Sequence, residues 1–194
     1  INDDIDIDKD NNYYFYGMSG TGKSSIYRLL KNTDKFNKDM IDINDIGPSE
    51  EPLIDDLGMY VESDDIKVLL KYLSYVGLCE TFNYIQPYKN LSEGQKFRYR
   101  LLICMLSDYK IITCDEFGSN LDNITSRIIC INLCRSLKSF CKNKSFWLFG
   151  VNTDFLTELK DDFIIYKKNF NDKLILLKNI KESDFGDKII FEEG

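Results

Sequence analysis

A glycine-punctuated loop is the part of this sequence best suited to chemistry. It reads Gly17-Met18-Ser19-Gly20-Thr21-Gly22-Lys23-Ser24 and fits the pattern G-x-x-x-x-G-K-S. Its glycines let the backbone curl so that N–H groups face an anion, and the helix predicted to follow adds its positive N-terminal end. The pattern therefore predicts a phosphate-binding loop (P-loop). The residues predicted to contact the bound phosphates are Gly17, Ser19, Gly20, Thr21, Gly22, Lys23, Ser24 and Ser25.

Two acidic residues, Asp115 and Glu116, follow an apolar, β-branched run in the segment "IITCDEF". An Asp at the C-terminal end of a parallel strand is well placed to hold Mg²⁺ at the mouth of a P-loop site. A Glu beside it is placed to orient and deprotonate a water. We therefore predict Ser24 and Asp115 as magnesium ligands and Glu116 as the general base. The alternative is an acidic pair that only faces solvent.

Composition excludes several other chemistries. The chain has 194 residues, enough for one domain with a core. Its net charge of −7 does not favour nucleic acid or an anionic membrane without a local basic patch or a partner. Histidine is absent, which excludes histidine bases and histidine metal sites. The six cysteines form no C-x-x-C pair and lie mostly in apolar runs, which predicts buried, reduced thiols and a cytoplasmic location.

Strand-like and helix-like segments alternate around these motifs, which favours an α/β domain whose mainly parallel sheet is flanked by helices. Residues 1–194 are expected to form a single domain that begins with an acidic arm or edge strand over 1–11. Strands are predicted at 12–16, near 38–45, and within 109–117, 144–151, 161–168 and 173–179. Helices are predicted at 24–31, 63–78, after 91, and at 125–141.

Two further motifs give the P-loop and the acidic pair a family context. Leu91-Ser92-Glu93-Gly94-Gln95 lies between them, and Gly118-Ser119-Asn120-Leu121-Asp122 follows the pair. In this order, over residues 13 to about 168, the motifs resemble the ATP-binding cassette (ABC) ATPase superfamily, with "LSEGQ" as the signature motif and "GSNLD" as the D-loop. The resemblance implies a P-loop NTPase fold with a short helical signature subdomain at about 50–105. Because only sixteen residues precede Gly17, the N-terminal antiparallel β-subdomain is expected to be reduced or missing.

The sequence around these motifs has a closer likeness to one group of ABC-class ATPases. The run "EPLIDDLG … VGLCETFNYIQPYKNLSEGQKFRYRLL … DEFGSNLDNIT … LKDDFII" resembles soluble ABC-class ATPases that are joined to acetyltransferase-like domains. It implies a fused or associated soluble domain. The chain begins with Ile1 rather than Met, which leaves open a longer protein.

The family resemblance also implies a mechanism. ABC domains dimerise head to tail, with ATP between the P-loop of one subunit and the signature of the other. Ser92 and Gly94 would then contact the γ-phosphate in trans, and Gln95 and Asp122 would complete the nucleotide-binding set. ATP is hydrolysed to ADP and phosphate. The γ-phosphate would therefore hold the dimer together until hydrolysis removes it, and it would not be transferred to a substrate.

Three departures from the family pattern stand out. The histidine that usually contacts the γ-phosphate is missing, and Asn152 takes its place, with Thr153 as the next candidate; because asparagine cannot shuttle a proton, hydrolysis is expected to be slow. The usual Q-loop glutamine is missing too, and Ser49 or Glu50 are the candidates to replace it. Finally, the chain has no evident adenine-stacking aromatic, since the tyrosines at 13 and 14 are expected in the core.

Two alternative functions stay open. One is the nucleotide-binding subunit of a membrane ABC transporter, which the short segment from Ser24 to Leu91 and its missing Q-loop disfavour, so that a permease partner is not expected. The other is a weakly hydrolysing ATP-sensing module. Contact with nucleic acid is expected only indirectly, because Lys96, Arg98 and Arg100 do not form one helical stripe.

Overall fold

Six strands of the described part of the chain form one sheet at the centre of the fold. The computed structural model describes residues 6–119, 121–139, 141, 143–151, 163–166, 171 and 173–177. The sheet has the order β2-β3-β4-β1-β5-β6 and is parallel except for the antiparallel pair β5–β6. Its strands are β1 (Tyr13–Tyr16), β2 (Met40–Asp42), β3 (Ile111–Cys114), β4 (Ser145–Gly150), β5 (Phe163–Tyr166) and β6 (Ile175–Leu177).

The central strands are buried on both faces. Every residue of β1, β3 and β4 is buried, as their continuous apolar sequences predict for parallel strands covered on both sides. The helices are α1 (Lys23–Lys31), α2 (Leu53–Val61), α3 (Ile66–Tyr75), α4 (Thr81–Tyr84), α5 (Glu93–Leu106) and α6 (Asn123–Ser139). The predicted α/β architecture with a mainly parallel sheet is therefore confirmed.

Alternation along the strands divides the core into two clusters. Tyr13 and Phe15 of β1 pack in one cluster with Tyr27 and Leu30 of α1. Tyr14 lies in the other cluster, which contains the buried residues of α2, α3, α5 and α6. Because successive side chains of a strand point to opposite faces, α1 covers one face of the sheet and the remaining long helices cover the other.

Helices α2 to α5 form a helical segment, and contacts among them hold α5 in place. The N–H of Leu53 donates to the carbonyl of Gln86 at 3.0 Å, which joins the start of α2 to the end of the α4 region. The buried hydroxyl of Tyr99 on α5 donates to the carboxylate of Asp56 on α2 at 2.5 Å. Helix α2 was not predicted from the sequence, whereas α3, α5 and the loop before α2 were.

The described N-terminal residues are anchored to the sheet and do not form an edge strand or a free arm. Ile7 is buried, and the carbonyl of Lys9 accepts the hydroxyl of Ser145 at 2.6 Å. The side chain of Asn12 accepts the N–H of Phe146 at 2.8 Å. These contacts hold residues 7–12 across the start of β4.

The cysteines agree in most cases with the expectation of buried thiols. Cys104, Cys114, Cys130 and Cys141 are buried, and burial raises the pKa of Cys104 and of Cys141 to about 12. Cys79 is exposed in the segment between α3 and α4, and it corrects the expectation at that position. In the part of the chain that the structure describes, no helix is long and apolar enough to span a membrane.

Candidate active site

The P-loop joins the end of β1 to the start of α1. Gly20 and Gly22 have φ angles of 84° and 91°, a left-handed backbone that glycine adopts without strain. The buried Thr21 closes the loop, since its hydroxyl donates to the carbonyl of Met18 at 2.9 Å. The loop therefore leads into the N-terminus of α1, where the first N–H groups lack intrahelical partners and are available to an anion.

Lys23 lies folded back over this loop. Its Nζ donates to the carbonyls of Gly17 at 2.6 Å and of Met18 at 2.8 Å. Burial lowers the pKa of Lys23, and the nearby carboxylates of Asp115 and Glu116 oppose that shift. The ammonium group thus lies within the electrostatic field of both acidic residues, and its donors are already directed into the loop.

A cavity of about 740 Å³ opens beside the P-loop. It lies where β1, β3 and β4 end, at the carboxyl edge of the sheet where α/β folds bind ligands. Its volume is in the range of nucleotide-sized and cofactor-sized pockets. Of the predicted site residues, it brings together Ser19, Gly20, Gly22, Lys23, Ser24, Ser25, Asp115 and Glu116, and it adds Phe117, Gly118, Ser119, Leu121, Gly150 and Val151.

The acidic pair sits on a tight turn after β3. Asp115 is half-buried, and its Oδ1 accepts the N–H of Glu116 at 3.1 Å. Glu116 is exposed and has a φ of 57°, a left-handed conformation that is uncommon for residues other than glycine. The next residue pins the turn, since the N–H of Phe117 donates to the carbonyl of Phe149 at 2.7 Å. These hydrogen bonds anchor the turn, and the turn places Glu116 at the cavity.

The residues of the cavity fit a magnesium–nucleotide complex. Ser24 supplies a hydroxyl and Asp115 a carboxylate, and both line the cavity. Across the described residues no group of three or more acidic or cysteine side chains is close enough to form a metal cage. Mg²⁺ suits such a place, because it is commonly bound by one or two protein groups together with substrate phosphates and water.

The signature motif forms the N-terminus of α5. The Oγ of Ser92 accepts the N–H of Gln95 at 3.3 Å, and the Oε1 of Gln95 accepts the N–H of Ser92 at 2.9 Å. This reciprocal pair is a capping box. Ser92 and Glu93 are exposed. The capping box therefore presents the first turn of α5 at the surface.

The D-loop packs against the signature. A Cβ on Gly94 would lie 3.4 Å from the side chain of Leu121 and 3.8 Å from that of Thr125, which are ordinary contact distances, so the first turn of α5 lies close to the D-loop and the start of α6. Asp122 begins α6 in the same way that Ser92 begins α5, since its Oδ1 accepts the N–H of Thr125 at 2.9 Å. Neither the signature residues Ser92, Gly94 and Gln95 nor Asp122 line the cavity of their own chain.

A smaller cavity of about 100 Å³ adjoins the acidic pair. It shares Asp115 and Glu116 with the larger cavity and is also lined by Asn44, Glu93, Phe97, Arg100 and Cys114. Sequence reasoning did not connect Asn44 or Arg100 with the site. Asn44 follows β2, which ends at Asp42, whereas the strand predicted near 38–45 included Asn44 and so gave no signal for a role at the site.

The candidates for the missing Q-loop glutamine lie elsewhere. Glu50 forms an exposed ion pair with Lys89 at 2.5 Å, and the Oγ of Ser49 accepts the N–H of Glu51 at 3.2 Å. Neither residue lines the two cavities. Asn44 is the amide that the structure brings to the acidic pair.

Other predicted positions have different outcomes. Tyr13 and Tyr14 are buried in the core, as expected. Asn152 and Thr153, expected near the γ-phosphate, lie outside the described residues, as does Asn120 of the D-loop.

Comparison with known proteins gives a likeness in structure alone. No family model and no curated protein matches the sequence. The structure is similar to CbiO1 from Clostridium perfringens, part of the ABC transporter complex CbiONQ, with a TM-score of 0.70, 17% identity, and coverage of 97% of this chain and 84% of that one. It is also similar to the dimeric post-hydrolysis state of the ATP-binding cassette MJ0796 bound to ADP and Pi, with a TM-score of 0.64, 16% identity, and coverage of 91% and 89%. These likenesses establish the fold of ABC-type P-loop domains, as the sequence predicted.

Proposed function

We propose that this chain is an ABC-class ATPase domain that binds ATP with Mg²⁺, dimerises head to tail around it, and hydrolyses it slowly to drive or gate a soluble partner or fused domain. One observation carries the proposal. A P-loop lysine and hydroxyl, Lys23 and Ser24, line one cavity with an acidic pair, Asp115 and Glu116, at the carboxyl edge of a parallel sheet. Separate loops that converge in this way match the parts that phosphoryl transfer needs.

The P-loop would hold the phosphates through charge and directed donors. Lys23 exchanges the carbonyls of Gly17 and Met18 for the β- and γ-phosphates, which offer a stronger, charge-assisted interaction. Ser24 and Asp115 would hold Mg²⁺, which neutralises phosphate charge when it is bound. The backbone of the loop and the N-terminus of α1 add partial positive charge at the same place.

Glu116 is the residue proposed to activate water. Its carboxylate is exposed on the turn after β3 and lines the cavity, where it can accept a proton from an attacking water. Asn152 is proposed to donate a hydrogen bond to the γ-phosphate from the segment after β4. Because asparagine carries no charge and shuttles no proton, turnover should be slow.

The signature and the D-loop are proposed to act on the partner's nucleotide. Ser92 and Glu93 are exposed, and none of Ser92, Gly94, Gln95 and Asp122 lines the cavity of its own chain. The N-terminus of α5 offers N–H groups and a hydroxyl to an anion that would come from a second copy. The structurally similar MJ0796 is a dimer in its post-hydrolysis state, which supports this arrangement.

We favour a soluble partner in the cytoplasm, including a fused acetyltransferase-like domain, because the sequence around the motifs resembles such proteins. A second candidate is the nucleotide-binding subunit of a transporter, since the similar CbiO1 is part of an ABC transporter complex.

Calorimetry and phosphate release test the proposed function together. Wild type should bind ATP in the presence of Mg²⁺, Lys23→Ala should lose binding, and Glu116→Gln should bind ATP without hydrolysing it. Lys31→Ala is the matched control, because Lys31 lies at the other end of α1 and pairs with Asp45. Equal ATP affinity of wild type and Lys23→Ala would contradict the proposed site, and wild-type turnover by Glu116→Gln would contradict the role of Glu116.

A further inference from the structure

The first turn of α5 is tied to the turn that ends α3. Arg98 makes this connection, since its Nε donates to the carbonyl of Gly94 at 3.2 Å and its Nη1 donates to the carbonyl of Gly77 at 2.9 Å. Arg98 is half-buried. Because a guanidinium group is planar and holds its donors in a fixed fork, one side chain sets how the two carbonyls lie relative to each other.

The end of α3 is suited to receive a cation. The N–H of Gly77 donates to the carbonyl of Ser74 at 3.1 Å, and the N–H of Leu78 donates to that of Leu73 at 3.0 Å. Gly77 has a φ of 74°, as is usual for the residue that closes a helix in this way. A helix carries partial negative charge at its C-terminus, which favours a nearby positive side chain. The contact with Arg98 is therefore a charge-assisted one at a well-formed helix end.

A second contact joins the same two regions. The Nε2 of Gln95 donates to the Oε2 of Glu80 at 3.4 Å, and Glu80 lies just before α4. The same carboxylate oxygen accepts the Nδ2 of Asn83 at 3.1 Å. The other end of the Gln95 amide accepts the N–H of Ser92 in the capping box. The capping box of the signature is thus linked to the segment between α3 and α4.

The neighbouring Lys96 shows a different kind of contact. Its Nζ donates to Glu93 at 2.8 Å, so this ion pair lies within the first turns of α5 itself. Arg98 instead reaches another helix, and it lines neither of the two cavities. Arg98 is therefore placed to orient the signature and not to contact the nucleotide of its own chain.

We propose that Arg98 is a positioning residue for the signature motif, which holds the first turn of α5 in the orientation that receives the γ-phosphate of the partner's ATP. This inference rests on the proposed head-to-tail ATPase. Arg98 acts through the backbone at Gly94. Without its two hydrogen bonds, the turn would adopt the receiving orientation for a smaller share of the time, and the apparent affinity of the dimer would fall with that share.

Three mixtures of full-length chains place one substitution on either side of a single composite site. Arg98→Met removes the charge and the donors and keeps an apolar stem. The reference mixture combines Lys23→Ala with Ser92→Arg, which leaves one composite site in each heterodimer. In the test mixture Arg98→Met is added to the Lys23→Ala chain, whose signature this site uses. In the matched control it is added to the Ser92→Arg chain, whose signature the site does not use.

Sedimentation equilibrium with ATP and Mg²⁺ measures Kd for each mixture, with Glu116→Gln in every chain so that ATP is retained. We expect Kd to be at least about tenfold weaker in the test mixture than in the reference, and within about twofold of the reference in the control. Each heterodimer of the test and control mixtures contains Arg98→Met once, so a general loss of stability would affect both equally. Urea unfolding of the separate chains checks that the loss is the same.

Other results overturn the inference. Test and control mixtures that weaken equally would show that Arg98 serves the fold alone, and a test mixture with the reference Kd would show that Arg98 does not position the signature. If Arg98→Met fails to fold, Arg98→Lys replaces it, because lysine keeps the charge without the fork that reaches two carbonyls. A weaker dimer in the test placement only would then support the inference, and equal Kd values in both placements would overturn it. A reference mixture that stays monomeric would overturn the proposed function as well, which distinguishes the two failures.

Discussion

Ser92 serves as a helix cap in the structure and is proposed to serve the partner's ATP in the dimer, and two substitutions separate these roles. Its Oγ accepts the N–H of Gln95 at 3.3 Å, and the side chain of Gln95 holds the N–H of Ser92 in return. Ser92→Ala and Ser92→Gly both remove the hydroxyl. They differ in how well the new residue begins a helix, because glycine is tolerated at that position and alanine is not.

The expected loss of stability follows from the cap. Replacing a serine N-cap by alanine costs about 1 kcal/mol, whereas replacing it by glycine costs only a few tenths of that amount. In the nucleotide-free monomer, Ser92→Ala should therefore unfold at a lower urea concentration than Ser92→Gly, and wild type should unfold close to the glycine variant. Urea denaturation followed by circular dichroism measures this difference.

The expected loss of dimerisation follows from the contact in trans. A hydrogen bond to a charged group contributes about 1.5–3 kcal/mol, and a symmetric dimer contains two such contacts. Both variants should then weaken the ATP-bound dimer by at least about 3 kcal/mol, or roughly 100-fold in Kd. The loss should be equal in Ser92→Ala and Ser92→Gly, because both lack the hydroxyl.

Sedimentation equilibrium with ATP and Mg²⁺, in a Glu116→Gln background that retains ATP, measures the dimer. A dimer constant that follows the order of monomer stability would refute the reasoning, because it would assign Ser92 to capping alone. An undiminished dimer in both variants would do the same.

Three further predictions concern the core and the pH response. Gly150→Ala should lower the free energy of unfolding by about 1–3 kcal/mol, because its new Cβ would lie 2.5 Å from the hydroxyl of the fully buried Tyr14; a double-mutant cycle with Tyr14→Phe in urea should recover part of the loss, and additive effects would contradict the clash. Tyr99→Phe should cost about 2 kcal/mol, since it removes a buried hydroxyl that donates to the carboxylate of Asp56, and an unchanged urea midpoint would argue against that bond. ATP affinity should fall as pH rises, because ATP binds the protonated form of Lys23. Since burial lowers the pKa of Lys23 in the free protein, this fall should begin at a lower pH than the pKa of an ordinary lysine would give; calorimetry that finds constant affinity up to about pH 10 would disagree.

Local patterns predicted the centre of the candidate site. The P-loop spacing encodes a turn between a strand and a helix, and the structure has that turn between β1 and α1. The acidic pair ends an apolar strand, so the carboxyl-edge rule for parallel sheets predicted that Asp115 and Glu116 would meet Lys23. These features depend on short segments and on a general rule of topology, and both are readable without tertiary contacts.

Helix α2 illustrates what local patterns do not show. It contains Gly58 in its interior, which weakens helix propensity, and it buries Asp56 on the face that packs against α5. That acid is compatible with burial because Tyr99, 43 residues later, donates a hydrogen bond to it. A polar residue on the apolar face breaks the helical pattern, and its partner is a tertiary contact.

Asn44 and Arg100 were not predicted to lie at the site, and the reason is again a tertiary contact. Helical geometry showed that Lys96, Arg98 and Arg100 could not share one stripe, and their three separate environments agree with this. Which of them would lie behind the acidic pair depends on how α5 packs against β3. The position of Asn44 likewise depends on the pairing of β2 with β3, far along the chain.

The most direct test of the central claim is sedimentation of a mixture of two inactive chains. Lys23→Ala lacks the P-loop cation, and Ser92→Arg places a bulky cation where the partner's γ-phosphate should bind. If ATP sits between the P-loop of one chain and the signature of the other, each heterodimer keeps one intact composite site. With ATP and Mg²⁺ we predict a partial dimer for the mixture and none for either variant alone. A mixture that stays as monomeric as each parent would contradict the shared site and favour a monomeric P-loop enzyme.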